Sequence, residues 1–309
     1  MDNSRLAIII GGQLRSFFEK NASIYLLQLI QNSKLRYRNI HIVMIISGIY
    51  EKIQIHDIFK NEKGLTLEIV DYNRYEDIVV KNIEELKKDT IFNYILKKYL
   101  SNNNNACKEI TNPQEYIIGG YRQIYQTHIG IEYILKYESD NNIVFDTIIR
   151  TRFDIQYPPN FVPYMPSGDT INILSLDGFG INLSGLLKKS GFSIEEYINY
   201  LKHQKINLPN CRVDCDMGIT FGGAYLYNYI SPEKIYNGET SILYCFNDHF
   251  YFSKRDIFIK LYDFIKIYGK LDIDNIKHIY AEESQLLMAC FHSNIYPLMY
   301  LPNTYRIIR

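Results

Sequence analysis

Short apolar runs alternate with amphipathic segments through the first half of the chain. Apolar runs over residues 5–10, 40–46, 65–70 and 145–149 are typical of strands buried on both faces of a parallel sheet. Segments 16–31, 84–100 and 115–137 lie between them and carry apolar residues at helical spacing. This β-α-β-α order predicts an α/β fold with a mostly parallel, Rossmann-like central sheet flanked by helices.

The second half of the chain has a less regular pattern. It predicts strands over 170–174, 249–252 and 296–301, and helices over 193–203, 254–268 and 282–292. No internal repeat and no linker rich in Pro, Gly or Ser marks a domain boundary. We therefore expect a single domain over residues 1–309.

Charge and cysteine content narrow the function classes. Lys and Arg together number 34, as do Asp and Glu, so no basic excess favours nucleic-acid binding. Five cysteines at irregular spacing do not indicate a disulfide framework, and reduced thiols fit a cytoplasmic protein. The first twelve residues do not resemble a signal peptide, and the longest apolar stretch, 40–49, is too short to cross a bilayer. We expect no transmembrane segment.

The first candidate cluster follows the first predicted strand and reads Gly11-Gly12-Gln13-Leu14-Arg15-Ser16. Glycines at a strand end let the backbone approach a ligand, and the start of a helix favours anions. Arg15 would pair with a pyrophosphate. The G-x-G-x-x-G pattern of dinucleotide-binding proteins is absent, and a tight turn with a solvated arginine explains these residues equally well.

The second cluster is Arg150-Thr151-Arg152-Phe153-Asp154, at the end of a predicted buried strand. Residues i, i+2 and i+4 share one face of a strand, so Arg150, Arg152 and Asp154 are expected to point the same way. Asp154 would hold a divalent metal that bridges a diphosphate, and the arginines would neutralise the phosphates. The alternative is an internal ion pair between arginine and Asp154.

Further acids are candidates in the second half of the chain. Asp248 and His249 precede an aromatic strand. Asp248 would support a metal ligand, accept from a sugar hydroxyl or act as a general base, and His249 would be either a metal ligand or an ordinary hydrogen-bonding residue. Glu283 opens a late helix, although the helix dipole alone favours an acid there. Asp214 and Asp216 have the two-carboxylate spacing of a metal site and compete with Asp154 for that role.

Four segments occur in order over about residues 5–300: IIIGGQLRSF, FDTIIRTRFDI, FNDHFYFSKRDIFIKLYDF and YAEESQLL. In these segments the chain resembles capsule, lipopolysaccharide and virus-encoded glycosyltransferases with GT-A-like folds. The resemblance implies a GT-A-like catalytic domain whose first half, about residues 1–155, binds a UDP- or GDP-sugar donor. The second half, about 156–309, would bind a glycan, glycolipid or glycoprotein acceptor.

The resemblance also assigns roles to single residues. The turn at Gly11, Gly12, Gln13 and Arg15 would bind the nucleotide with Arg150 and Arg152. The R-x-D formed by Arg152 and Asp154 would take the place of the usual D-x-D, with Mn²⁺ or Mg²⁺ as the metal. Asp248 and Glu283 match the family's later acids, which would be catalytic or would contact the acceptor.

Two other functions fit the same residues. A nucleotidyltransferase acting on a sugar phosphate uses a similar sheet and also binds nucleotide and metal. A carbohydrate-binding protein without catalytic activity would use some of the 28 tyrosines as stacking surfaces for sugars. Release of a nucleoside diphosphate from a nucleotide sugar separates the glycosyltransferase from both.

Overall fold

The structure is a computed structural model. It describes residues 4–48, 52–88, 113–166, 168–176, 211–216, 223–228, 243–246, 249–265, 286, 289–290 and 293–308. Among these residues, no helix is long and apolar enough to cross a membrane.

Strands and helices alternate through the first half. In order they are β1 Arg5–Gln13, α1 Arg15–Glu19, α2 Ala22–Ser33, β2 Asn39–Ser47, α3 Lys52–Phe59, β3 Leu65–Asp71, a 3₁₀ helix Tyr72–Tyr75, α4 Glu76–Lys88, α5 Pro113–Asn141 and β4 Thr147–Arg152. The second half adds β5 Ile155–Gln156, β6 Thr170–Leu176, β7 Cys211–Asp216, β8 Gly223–Asn228, β9 Leu243–Phe246, β10 Tyr251–Lys254, α6 Arg255–Ile265 and β11 Tyr296–Ile307.

The four strands predicted in the first half are confirmed, with longer carboxyl ends than the apolar runs alone indicated. The prediction of one helix over 16–31 is wrong, because this segment forms the two helices α1 and α2. They are separated at Asn21, which adopts a left-handed backbone conformation with φ of 56°. Helix α3 was not predicted. Helix α4 begins at Glu76, eight residues before the predicted start, and residues 89–112 lie outside the described residues.

The strands form a mixed sheet in the order β3-β2-β1-β4-β10-β6-β11-β5. Strands β3, β2, β1 and β4 are mutually parallel, and β6 and β11 are parallel to each other. Strand β10 lies between β4 and β6 and is antiparallel to both. Strands β7, β8 and β9 form a separate antiparallel sheet. The predicted α/β fold with a mostly parallel central sheet is confirmed at this level.

Helices cover both faces of the parallel strands, as the alternation along β1 shows. Ile8 and Ile10 are buried in a core cluster that includes Leu26 and Leu29 of α2. Ile9 points the other way, toward α5, where a Cβ on Gly130 would come within 2.5 Å of its Cγ2 atom. Because every residue of β1 from Leu6 to Ile10 is buried, the strand has no polar face, as expected for a central parallel strand.

Candidate functional site

The order of the parallel strands places a candidate ligand site, called the crevice below, at the carboxyl edge of the sheet. From β1 the chain proceeds to β2 and β3 on one side, and β4 then lies on the other side of β1. The carboxyl ends of β1 and β4 therefore flank the point where the strand order reverses. In open α/β sheets, ligands bind at such a point because loops on its two sides run in opposite directions.

Gly11 and Gly12 lie near the carboxyl end of β1, on one side of this crevice, and not in a turn after the strand. Gly12 has φ of +133°, a conformation that favours glycine. A Cβ on Gly11 would lie 2.8 Å from the Oε1 atom of Gln126, a buried residue of α5. The hydroxyl of Ser47 at the end of β2 donates to the carbonyl of Gly12 over 3.3 Å. This end of β1 is thus packed tightly against α5 at Gly11, whereas Gln13 is exposed.

Arg15 is the first residue of α1, one residue before the predicted start of that helix, and its side chain lies outside the described residues. Helix α1 has only five residues, so its dipole is small compared with that of a full-length helix. The expected attraction of an anion to this helix start is correspondingly weak.

Arg152 and Asp154 lie on the β4 side and bind each other. Arg152 pairs with Gly11 in the sheet register. Its Nε donates to Oδ1 of Asp154 over 2.9 Å, and its Nη2 donates to Oδ2 over 2.8 Å. The side chains are 28% and 21% exposed, so a ligand can reach the pair.

The expectation that β4 continues to Asp154 is wrong. The strand ends at Arg152, and Asp154 lies in the turn that follows, where its backbone carbonyl accepts from the N–H of Ile308. The turn brings the carboxylate back onto the arginine two residues before it. The internal ion pair that the sequence left as an alternative is therefore present, at the edge of the crevice.

Arg150 is buried beneath the same edge, only 1% exposed. Its Nη2 donates to Oε1 of Gln123 over 3.1 Å, and its Nη1 donates to the carbonyl of His249 over 3.4 Å. The guanidinium also lies 6.0 Å from the centre of the Tyr251 ring. Arg150 thus faces α5 and β10, and contact with a ligand would require these groups to move. Its role in donor binding stays a prediction.

The described residues offer few ligands for a metal ion. His249 is 6% exposed, and within the described part of the chain no group of three or more His, Cys, Asp or Glu side chains could hold a metal. Asp154 is the one carboxylate described at the crevice edge, and both of its oxygens accept from Arg152. Mg²⁺ often uses one or two carboxylates with phosphate oxygens and water, so Asp154 fits only as a partial site completed by a ligand's phosphates.

The remaining predicted residues cannot be placed around the crevice. Asp248 and Glu283 lie outside the described residues. Asp214 and Asp216 are on β7, opposite Tyr225 and Gly223 of β8, in the separate three-stranded sheet. Their side chains lie outside the described part of the structure.

Sequence reasoning missed the contribution of α5. Gln123 binds Arg150, and Gln126 lies against Gly11, so one helix supports both sides of the crevice. A usable signal was present: Gln126, Gly130 and Ile134 recur every four residues, which places a polar amide on the face that packs on the sheet.

No protein-family model and no curated protein matches the chain.

Proposed function

We propose that the protein is a glycosyltransferase with a GT-A-like fold that binds a nucleotide-sugar donor in the crevice between β1 and β4. One observation carries the proposal: Gly11, near the carboxyl end of β1, and the partly exposed Arg152 of β4 are register partners at the point where the strand order reverses. A glycine backbone and a guanidinium in this position are suited to a diphosphate.

The chemistry follows from the charge that develops during sugar transfer. As the bond from the sugar to the diphosphate breaks, negative charge grows on the departing phosphate oxygen, and fixed donors there lower the barrier. Arg152 has a planar five-donor fork, which can hold a carboxylate and a phosphate at once. Asp154 orients that fork through two hydrogen bonds.

Two further parts of the proposal concern the metal and the base. A Mn²⁺ or Mg²⁺ ion held by Asp154 and the donor's phosphates would supply additional stabilisation of the leaving group. His249 is the second proposed ligand, although its burial means that it would have to turn toward the crevice. Asp248 or Glu283 would accept the proton of the acceptor hydroxyl if the enzyme inverts the sugar's configuration.

A panel of nucleotide sugars tests the proposal directly. We expect release of a nucleoside diphosphate from one of them in the presence of an acceptor glycan, and a rise in melting temperature with UDP or GDP and Mn²⁺. Pyrophosphate released from a triphosphate and a sugar phosphate would instead identify a nucleotidyltransferase. Binding of glycans without release of any nucleotide would identify a carbohydrate-binding protein.

The variant Asp154→Asn separates a role in the site from a role in the scaffold. The Arg152–Asp154 pair is partly exposed, so its loss should cost only about 0–1 kcal/mol of stability. Turnover should fall at least a hundredfold because the amide neither binds a cation well nor orients the guanidinium as a carboxylate does. Asp256→Asn, in an exposed pair with Arg255, is the control and should leave turnover unchanged. Full turnover by Asp154→Asn would exclude Asp154 from the site.

A further inference from the structure

A second polar cluster lies at the carboxyl edge of the sheet, on the β3 side. It comprises Tyr72 of the 3₁₀ helix, Glu76 of α4, and Tyr121, Arg122 and Tyr125 of α5, and is called the Tyr72 cluster below. Helix α5 connects it to the crevice. Arg122 directly precedes Gln123, the partner of Arg150, and Tyr125 directly precedes Gln126, which lies against Gly11.

Two donors of the Tyr72 cluster are buried without an acceptor among the described residues. Tyr72 is 3% exposed, and its hydroxyl has no hydrogen-bond partner within the described part of the chain. The same holds for the Nε–H of Arg122. Buried donors are nearly always paired in native proteins, and one explanation for an exception is an acceptor supplied by a ligand. Burial, and to a lesser extent Glu76, raises the pKa of Tyr72, so the hydroxyl keeps its proton at neutral pH.

The remaining groups of the Tyr72 cluster are exposed enough for a ligand to reach it. Nη2 of Arg122 donates to Oε1 of Glu76 over 2.9 Å, and these side chains are 40% and 45% exposed. An ion pair this exposed contributes little to stability, so it can open to admit a ligand. The rings of Tyr121 and Tyr125 lie nearly parallel beside it, with their centres 6.1 Å apart and an angle of 21° between their planes. Half-buried aromatic rings are suited to stack against a planar ligand.

We propose that the Tyr72 cluster binds the base of the nucleotide donor and prefers a base with a carbonyl oxygen beside a ring N–H. This inference rests on the proposed function. A carbonyl oxygen has two lone pairs and can accept from both Tyr72 and Arg122, while the ring N–H donates to the carboxylate of Glu76. Uracil and guanine present that edge. Adenine has no carbonyl oxygen, and cytosine has one beside a ring nitrogen without a proton.

Calorimetric titration of the full-length protein with UDP, GDP, CDP and ADP tests the preference. We expect UDP or GDP to bind at least tenfold more tightly than ADP. Tyr72→Phe should weaken that binding about fivefold, the size of one neutral hydrogen bond. It should fold normally, since it removes a hydroxyl without a described partner. Tyr75→Phe is the matched control, because the hydroxyl of Tyr75 already donates to that of Tyr133, and it should bind like the wild type.

The variant Glu76→Gln tests the pairing chemistry itself. An amide can donate to the bare ring nitrogen of cytosine, so the preference for UDP over CDP should shrink or reverse. Equal binding of all four nucleotides, or a preference that survives both Tyr72→Phe and Glu76→Gln, would overturn this assignment and leave the proposed function standing. Binding of none of them would overturn both proposals.

Discussion

Among single residues, His41 is buried in a way that couples folding to pH. It is 2% exposed, its ring stacks 3.9 Å from that of Tyr137, and its Nδ1 lies 2.8 Å from Oγ1 of Thr66. Burial lowers its pKa from 6.5 to about 4. The unfolded chain therefore binds a proton at this residue more readily than the folded protein does, and stability is lost as pH falls from 6.5 toward 4.

The lowered pKa of His41 predicts that the free energy of unfolding decreases as the pH falls. From pH 7.5 to pH 5, His41 should remove about 2 kcal/mol from the free energy of unfolding measured in urea. The loss attributable to this residue should be absent in His41→Phe. His56→Gln, at an exposed position of α3, is the control and should keep the wild-type slope. Equal slopes in the wild type and His41→Phe would show that His41 does not carry the effect.

The buried carboxylate of Glu138 is expected to make a second contribution to stability. It is 6% exposed, and its Oε1 accepts from the backbone N–H of Phe145 over 2.9 Å while its Oε2 accepts from Arg255 over 2.8 Å. Glu138→Ala should cost about 2–4 kcal/mol in urea unfolding, because it leaves a partly buried guanidinium and a buried N–H without their acceptor.

Asp256 provides the comparison for Glu138, since it also binds Arg255 but is 84% exposed. Asp256→Ala should cost only about 0–1 kcal/mol. A similar cost for both variants would mean that burial does not set the strength of these pairs.

Residue roles could be predicted only in part. The R-x-D was visible in the sequence because charges that follow an isoleucine run are conspicuous, and Arg152 and Asp154 do meet at the crevice. The burial of Arg150 was not visible, since its partners Gln123 and His249 come from distant parts of the chain. The Tyr72 cluster was missed for the same reason: it is assembled from three helices.

At the scale of elements, α5 packs against the sheet through a glycine. A Cβ on Gly130 would lie 2.5 Å from Cγ2 of Ile9 and 3.1 Å from Cδ1 of Ile45. Gly130→Ala should therefore cost about 1–3 kcal/mol, because the helix would have to move away from β1 and β2. Urea unfolding measures this directly.

Gly119, in the same helix, is the matched control. Among the described residues, no atom outside the backbone of the helix itself lies within 4 Å of a Cβ placed there. Gly119→Ala should raise stability by about 0.5–1 kcal/mol, because alanine loses less backbone entropy than glycine on forming a helix. If both substitutions stabilise the protein, the close approach of α5 to the sheet is not tight in solution.

The helices show where local patterns stop being informative. Helix α5 was predictable from its periodicity despite two glycines near its start. The division of α1 from α2 was not, because it depends on Asn21, and asparagine enters the left-handed conformation only when the surrounding packing favours it. The predicted strands were too short for a similar reason. Strand β1 continues through Gly11, Gly12 and Gln13 because these residues pair with β2, and a local sequence pattern does not encode that pairing.

At the scale of the whole molecule, the parallel half of the sheet is the most protected region described. Ile8, Ile42 and Ile149 in β1, β2 and β4 have no exposed surface, whereas β3 at the edge is mostly half-buried. Native-state hydrogen exchange should therefore be slowest in β1, β2 and β4, whose amides exchange only on global unfolding. Exchange in β3 should be measurably faster. Protection of β3 equal to that of β1 would indicate that another segment covers this edge.

The position of β10 could not be predicted, although its existence could. The aromatic run near residue 250 is typical of a strand, but nothing local says that it inserts between β4 and β6 with reversed direction. The pairing of β10 with β4 joins residues about 100 positions apart. It also means that both halves of the chain contribute to one sheet.

The late insertion of β10 has a consequence for synthesis on the ribosome. When β4 has emerged, its outer edge has no partner until residue 251 follows, which takes about 5–20 s at ordinary translation rates. During that interval the nascent chain exposes the unpaired backbone of an isoleucine-bearing strand, the kind of edge to which another chain readily adds. A ribosome-stalled fragment that ends near residue 200 should accordingly recruit chaperones far more than one that ends after α6.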